Sequence, residues 1–385
     1  MKCKRRFSYN DEKKVLIIGE SDSVFIKEYV ENILKENKKI QFSILTNSII
    51  KYRKFYMDNH VKLIYMPQLY IDKKEWSIYS KCVLWILKHQ YDYVHVQAVG
   101  YNQLEKAVFI ADNKSKLIIS YWAHPTGKRE INDVGKLLKY VHKISFVTDS
   151  LKKEFQENYG HEFDEKIFCI KLYSGGFERL RDVVTHGKLA NLRKISKKKM
   201  NIPSNRVSIA LGYCARKDQQ HIRVLRELQK LSDDELKNIY LYIHVAYGTD
   251  DRHYIRQIEM MANKLSRRGC ICEVSQKFMT GNRLACLRLA MDVFINVELQ
   301  DALSATMQEY ICAGSMVLNG DWLDYHDLDQ YGIHYTKILG LNDLSVVLSK
   351  IIEKPIVIDG YNSFKIKQYR SWGDEVHKWI ELYNE

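Results

Sequence analysis

Asp301 and Glu309 bracket seven residues in the stretch 298–319, which reads as a strand end, a loop, a short helix, a glycine stop and another strand. Between the two acids lie Ala302, Ser304, Ala305 and Thr306, small or hydroxyl-bearing residues where a helix should begin. An open helix N-terminus presents unpaired N–H groups and the positive end of the helix dipole, which suits a phosphate. An acid one to two turns into that helix reaches sugar hydroxyls beside the phosphate. The adjacent cations Arg216 and Lys217 follow another apolar run, 207–213, and positive charge of this kind steadies a departing diphosphate. These residue types together predict nucleotide-sugar chemistry.

The elements that must position them alternate. Apolar runs at 13–18, 41–46, 61–66, 91–99, 117–122, 143–148 and 167–173 read as strands, and helical patterns separate most of them. A second series begins with 207–213, continues through 239–246, 271–274, 291–297 and 315–319, and again alternates with helical stretches. Helix-strand alternation on this scale predicts an α/β chain with parallel sheets, whose ligands sit at the C-terminal strand edges. The first loop, Gly19-Glu20-Ser21-Asp22-Ser23, lacks GxGxxG, which argues against a dinucleotide held there in the Rossmann manner. Periodicity stops between about 180 and 203, a polar and strongly basic stretch. The predicted division is therefore residues 1–180, a basic linker 181–203, residues 204–355, and a C-terminal helical region 356–385.

Bulk composition agrees. The chain has 385 residues, enough for about two domains, with 46% hydrophobic residues and 4 prolines. Its apolar runs are strand-length, short of the roughly 18–20 residues a membrane span needs. The basic N-terminus has no apolar segment behind it and does not read as a secretory signal. The 8 cysteines are scattered without a CxxC pair, as buried thiols in a reducing cytoplasm would be. A formal charge of +13 suits phosphorylated substrates, an anionic membrane surface or nucleic acid. Its basic runs at 2–6 and 188–199 read first as solvated surface or linker, second as membrane-facing and third as nucleic-acid-binding, and no nucleic-acid motif accompanies them.

Asp301-x7-Glu309 followed by Cys312-Ala313-Gly314 and the apolar Met316-Val317-Leu318, within two tandem α/β halves, resembles the GT-B glycosyltransferases, and among them the large retaining family 4 group. Met291-Asp292-Val293-Phe294-Ile295 is similar to the strand before that motif, and the tail 371–383 to the group's C-terminal crossover helix. A looser similarity to bacterial surface-polysaccharide transferases rests on Gly212-Tyr213, Gln220-His221, Tyr247-Gly248 with Tyr254, and Gly320-Asp321-Trp322-Leu323-Asp324-Tyr325. The first acid is an aspartate where the group carries glutamate, and the usual Gly-Phe-Gly after it is Ala302-Leu303-Ser304. The Arg…Lys pair of the first C-domain loop is contracted to adjacent Arg216-Lys217.

The resemblance implies two Rossmann-like domains facing across a cleft, with a C-terminal helix crossing back to the first. It implies that Glu309 bonds the nucleotide ribose and Asp301 a hydroxyl of the transferred sugar. Ser304, Ala305 and Thr306 would offer N–H groups to the diphosphate, Arg216 or Lys217 would neutralise it, and Tyr247 would lie at the same edge. His124 would face the sugar from the acceptor side, and Glu20 would serve as base in an inverting enzyme. Each residue also has a plain structural reading: a helix-surface glutamate, a capping aspartate, solvated loop cations, a histidine before a proline turn.

The expected activity is metal-independent transfer of a hexose or amino-sugar from a nucleoside diphosphate to a glycan or polyprenol-linked acceptor of surface polysaccharide. Retention of anomeric configuration and a cytoplasmic location that extends to the inner face of the plasma membrane complete the reading, with no nucleic-acid partner. A non-catalytic GT-B subunit that binds a partner transferase or glycan, and a sugar-nucleotide epimerase of the same fold, are the alternatives.

Overall fold

The computed structural model describes residues 12–46, 51–65, 91–99, 116–122, 138–172, 175–248, 251–369 and 372–384. Contacts divide the chain into two units. The first is Met1–Ser174 with Trp372–Glu385, and the second is Gly175–Ser371. The helices expected at 79–89 and 104–112, most of that at 133–142, and the loop 123–127 lie outside the described residues.

In the first unit seven parallel strands run in the order β3-β2-β1-β4-β5-β6-β7: Lys13–Ile18 (β1), Ile40–Thr46 (β2), Lys62–Tyr65 (β3), Tyr93–Val96 (β4), Lys116–Tyr121 (β5), Lys143–Phe146 (β6) and Ile167–Cys169 (β7). The run Val15-Leu16-Ile17-Ile18 is continuous rather than alternating because this central strand is covered on both faces. Helix Val24–Glu36 buries Ile26, Tyr29, Val30 and Ile33, the 3-and-4 spacing of one helical face. The order reverses between β1 and β4, so the loops after those two strands flank this unit's topological switch point.

The terminal helix Trp372–Glu381 packs within the first unit. Tyr383 OH lies 2.6 Å from both Tyr29 OH and His95 Nδ1, and His95 Nε2 lies 2.6 Å from Ser120 Oγ. Lys143 Nζ donates to the carbonyls of Glu381 and Leu382 at the helix end, where positive charge is favoured. Trp379 Nε1 donates to the Lys171 carbonyl at 3.1 Å, and the Lys171 N–H donates to Glu375 at 3.2 Å. A wholly buried imidazole is hard to charge, and burial pushes the His95 pKa down to about 3.

The second unit has six parallel strands in the order β10-β9-β8-β11-β12-β13: Val207–Leu211 (β8), Ile239–His244 (β9), Ile271–Ser275 (β10), Val293–Asn296 (β11), Met316–Gly320 (β12) and Thr336–Ile338 (β13). Side chains alternate between two cores, as the two-residue strand period requires. Ile209, Leu211, Leu241 and Ile295 join the core that includes residues of helices His221–Leu228, Arg252–Arg267 and Leu344–Ile352. Ala210, Tyr242, Phe294 and Val317 join the core built with Gly175–Thr185, Gly281–Ala290 and Ala305–Cys312. Each fully buried aliphatic side chain contributes about 1.5–3 kcal/mol.

Residues 181–203, expected as a linker, instead hold the end of helix Gly175–Thr185 and all of helix Leu189–Lys199, both in the second unit. The reason is a buried charge cluster. Lys197 Nζ sits 2.5 Å from Asp292 Oδ2, Arg193 pairs with the other Asp292 oxygen at 3.5 Å, and Ser208 donates to the same carboxylate through N–H and Oγ. Arg193 also donates to the carbonyls of Leu289 and Ala313. The boundary accordingly falls at Ser174/Gly175. The tail is likewise two helices, Gly360–Tyr369 in the second unit and Trp372–Glu381 in the first. Among the described residues no helix is long and apolar enough to cross a membrane.

Candidate active site

In the second unit the strand order reverses between β8 and β11. Ligands of open α/β sheets bind outside the C-terminal strand ends at such a point. The loop after β8 carries Tyr213, Arg216 and Lys217, and the loop after β11 carries Glu298 and Asp301. The expected loop cations and the first acid of the motif are thus delivered to the two sides of one crevice by neighbouring strands.

Helix Ala305–Cys312 begins where the residue types predict. Ser304 is its N-cap, its Oγ accepting the Met307 N–H at 3.1 Å, while its carbonyl accepts from Gln308 Nε2 at 3.0 Å. The Ser304 hydroxyl is therefore spent on capping. The N–H groups of Ala305 and Thr306 belong to the first turn, which has no intrahelical acceptors. An anion at this helix start is stabilised by those N–H groups and by the dipole.

Asp301 Oδ2 accepts from Tyr325 OH at 2.8 Å. Tyr325 is buried and also accepts from Asn296 Nδ2 at 3.1 Å, and that same amide donates to Asn319 at 2.8 Å. A chain of hydrogen bonds through β11 and β12 thus orients the aspartate. Glu298 is more deeply placed, 2% exposed. Its Oε1 accepts from Tyr213 OH at 2.8 Å, its Oε2 lies 3.5 Å from Arg216, and its carbonyl accepts from Trp322 Nε1 at 2.6 Å. Burial first, and then the Asp301 carboxylate, push the Glu298 pKa up to about 7, against the pull of Tyr213, Gln219 and Arg216.

Arg216 is half exposed and bridges Glu298 and Asp218, the latter at 3.1 Å. Its stem lies against Gly248, whose φ of +97° suits glycine and where a Cβ would sit 2.9 Å from Arg216 Cγ. Lys217 points to Asp251 at 2.9 Å and is largely exposed. Tyr247 is 50% exposed and packs edge-on against Phe278, with ring centroids 5.9 Å apart and Tyr213 6.5 Å away. That exposed ring offers an apolar face to a base or a sugar.

Glu309 differs from the expectation of an acid simply turned to a ribose. It is buried at 5% exposure, and its Oε2 accepts from Arg288 Nε at 2.7 Å. Arg288 Nη1 donates to Tyr310 OH at 2.9 Å, with the guanidinium 4.6 Å from the Tyr310 ring centre. Burial loosens the proton of Arg288, but Tyr310 and Glu309 outweigh it and hold the group more firmly charged than usual. Oε1 of Glu309 lies so close to Gly176 that a Cβ there would force one of the two to shift, and glycine lets the first turn of helix Gly175–Thr185 close on the carboxylate.

The structure therefore gathers Asp301, Ser304, Ala305, Thr306, Arg216, Lys217 and Tyr247 at one strand edge and gives Glu309 a buried cation. Glu20 lies in the first unit, exposed in the loop after β1 at that unit's own switch point. His124 lies outside the described residues. Glu298 and Arg288 have no role assigned from the sequence, and Tyr213 and Tyr325 enter it only through the looser similarity to surface-polysaccharide transferases. The available signals were an acid directly ending an apolar strand and an arginine inside the apolar run 284–295.

The two sheets and their helices have close counterparts among solved structures. A glycosyltransferase from Rickettsia africae superposes with a TM-score of 0.71 over 97% of this chain and 98% of its own, at 15% identity. Anabaena HepE, solved with UDP and glucose, gives 0.72 over 96% and 99% at 11% identity. Sucrose-phosphate synthase from Thermosynechococcus elongatus gives 0.69 over 97% and 98% at 12% identity. The fold is that of the GT-B glycosyltransferases. No family model and no curated protein matches the chain in sequence.

Proposed function

We propose that the chain is a glycosyltransferase that transfers a sugar from a nucleoside diphosphate. The observation that carries this reading is the convergence at the β8/β11 switch point of a helix N-terminus, the Arg216 guanidinium and the oriented carboxylate of Asp301. HepE has also been solved with UDP-glucose, which supports a uridine diphosphate sugar as the first donor to try. In this reading the diphosphate lies against the N–H groups of Ala305 and Thr306. Arg216 and Lys217 neutralise the charge that develops on it as the glycosidic bond breaks, without recourse to a metal. Asp301, held by Tyr325, accepts a hydroxyl of the transferred sugar, and Tyr247 stacks on the base or the sugar.

The family 4 resemblance assigns Glu309 to the ribose, and the buried pair it forms with Arg288 also fixes helix Ala305–Cys312. The finer reading follows the family 4 resemblance: a hexose or amino-sugar, anomeric retention, a lipid-linked or growing polysaccharide acceptor met by the first unit, and work at the cytoplasmic face of a membrane. A non-catalytic nucleotide- or glycan-binding subunit is the second reading. It is favoured by the neutralisation of Arg216 by two carboxylates and of Glu309 by Arg288.

Turnover separates the two. Incubation with a panel of uridine, guanosine and thymidine diphosphate sugars, followed by chromatography, should show donor consumed and nucleoside diphosphate released, slowly to water and faster with a polyprenyl-linked acceptor. Nucleotide binding without turnover of any donor would favour the subunit. Release of an isomerised sugar nucleotide would identify an epimerase.

A further inference from the structure

The pair Arg216–Glu298 spans the switch point, joining the loop after β8 to the loop after β11. Glu298 is the buried member, and Arg216 the half-exposed one that a diphosphate would meet. The guanidinium faces two carboxylates, Glu298 at 3.5 Å and Asp218 at 3.1 Å. Asp301 adds a third negative group beside Glu298 from the same loop. The Tyr213 hydroxyl, from the loop after β8, donates to Glu298 at 2.8 Å, and Cys214 of the same loop and Tyr325 are the further titratable groups that face it.

A diphosphate drawn to Arg216 adds at least two negative charges to a cluster that already holds three carboxylates and one guanidinium. Like charges in a partly buried site disfavour joint ionisation, and the group with the deepest burial is the one that gives way. Burial and Asp301 already raise the proton affinity of Glu298, so it is the acid poised to do so.

We propose that Glu298 is a positioning residue for Arg216: it holds the guanidinium across the switch point for an incoming diphosphate, then takes one proton from solvent as Arg216 exchanges it for a phosphate oxygen. This rests on the nucleotide-sugar reading above. Tyr213 keeps the released carboxyl in place, since its hydroxyl bonds the oxygen that Arg216 does not use. Donor binding is thereby linked to pH through a residue that touches neither the sugar nor the base.

The test is titration calorimetry of UDP, GDP and dTDP against the full chain between pH 6 and 9, in buffers of differing ionisation heat. A double-mutant cycle of Arg216→Met and Glu298→Gln on the unfolding midpoint, without nucleotide, accompanies it. Above neutral pH the wild-type affinity should fall about tenfold per pH unit, the slope of one linked proton. Glu298→Gln should bind with a flatter profile and take up about one proton fewer; the difference cancels protons that the phosphate itself exchanges. The stability cycle should show coupling between the two residues.

Equal proton uptake in wild type and Glu298→Gln, or no coupling in the cycle, overturns the inference while leaving nucleotide binding intact. Coupling together with no affinity for any nucleoside diphosphate overturns the nucleotide-sugar reading, and the linkage with it.

Discussion

Replacing Arg288 by methionine isolates the buried pair that anchors the motif helix. Arg288 and Glu309 side chains are 4% and 6% exposed, and their atoms are 2.7 Å apart. The substitution keeps most of the stem volume but leaves the Glu309 carboxylate buried without its cation. Breaking a buried pair from one side costs about 3–5 kcal/mol, because the remaining charge has lost its compensation. The contact with the Tyr310 hydroxyl and ring goes with it. In a unit of roughly 200 residues each kcal/mol lowers the melting midpoint by about 2–4 °C, so the midpoint of the second unit should fall by about 6–20 °C. Urea unfolding followed by circular dichroism gives the free energy directly. The double variant Arg288→Met, Glu309→Leu should recover most of the loss, since an apolar pair of similar volume often equals or exceeds a buried ion pair. A single-variant cost below about 1 kcal/mol, or a double variant no better than the single, would refute this reasoning.

His95 makes the first unit acid-sensitive. Its folded-state pKa, about 3, lies below the ordinary histidine value of about 6.5. Between those two values the unfolded chain binds the extra proton, so stability is full above about pH 6.5 and falls as the pH drops through the window. At pH 4.5 the loss from this one group is about 3 kcal/mol, and His95→Gln should flatten that share of the acid limb in pH-dependent unfolding. Ser304→Ala removes the cap of the motif helix and should cost about 1 kcal/mol in the same assay. Gly176→Ala places a methyl against the Glu309 carboxylate and should destabilise by about 1–3 kcal/mol, whereas a change within a few tenths would show that the helix start shifts freely.

Much of the architecture is legible in local pattern. The runs 15–18, 209–211 and 293–295 are continuous and apolar because parallel strands are buried on both faces. Ser304 before Ala305 announces the helix start by cap chemistry alone. Residues 181–203 read as a linker because they carry the charges of a solvated segment, yet Arg193 and Lys197 turn inward to an aspartate about 95 residues away. Arg288 and Glu309 are 21 residues apart, on different helices, and only their packing on a common sheet face brings them together. Glu298 reads only as the acid that closes an apolar strand. Its burial depends on Tyr213 and Trp322, which other strands deliver, and no local pattern encodes that. Strand β13 and helix His326–Gln330 are too short for periodicity to reveal.

The most direct measurement is the affinity of the full chain for a nucleoside diphosphate, by titration calorimetry at fixed pH and salt, for wild type and Arg216→Ala. A charge-assisted hydrogen bond to phosphate contributes about 1.5–3 kcal/mol, so the variant should bind the preferred diphosphate about 10- to 150-fold more weakly while keeping its fold by circular dichroism. Failure of the wild type to bind uridine, guanosine or thymidine diphosphate, or an affinity unchanged in Arg216→Ala, would contradict the placement of the donor at the β8/β11 switch point.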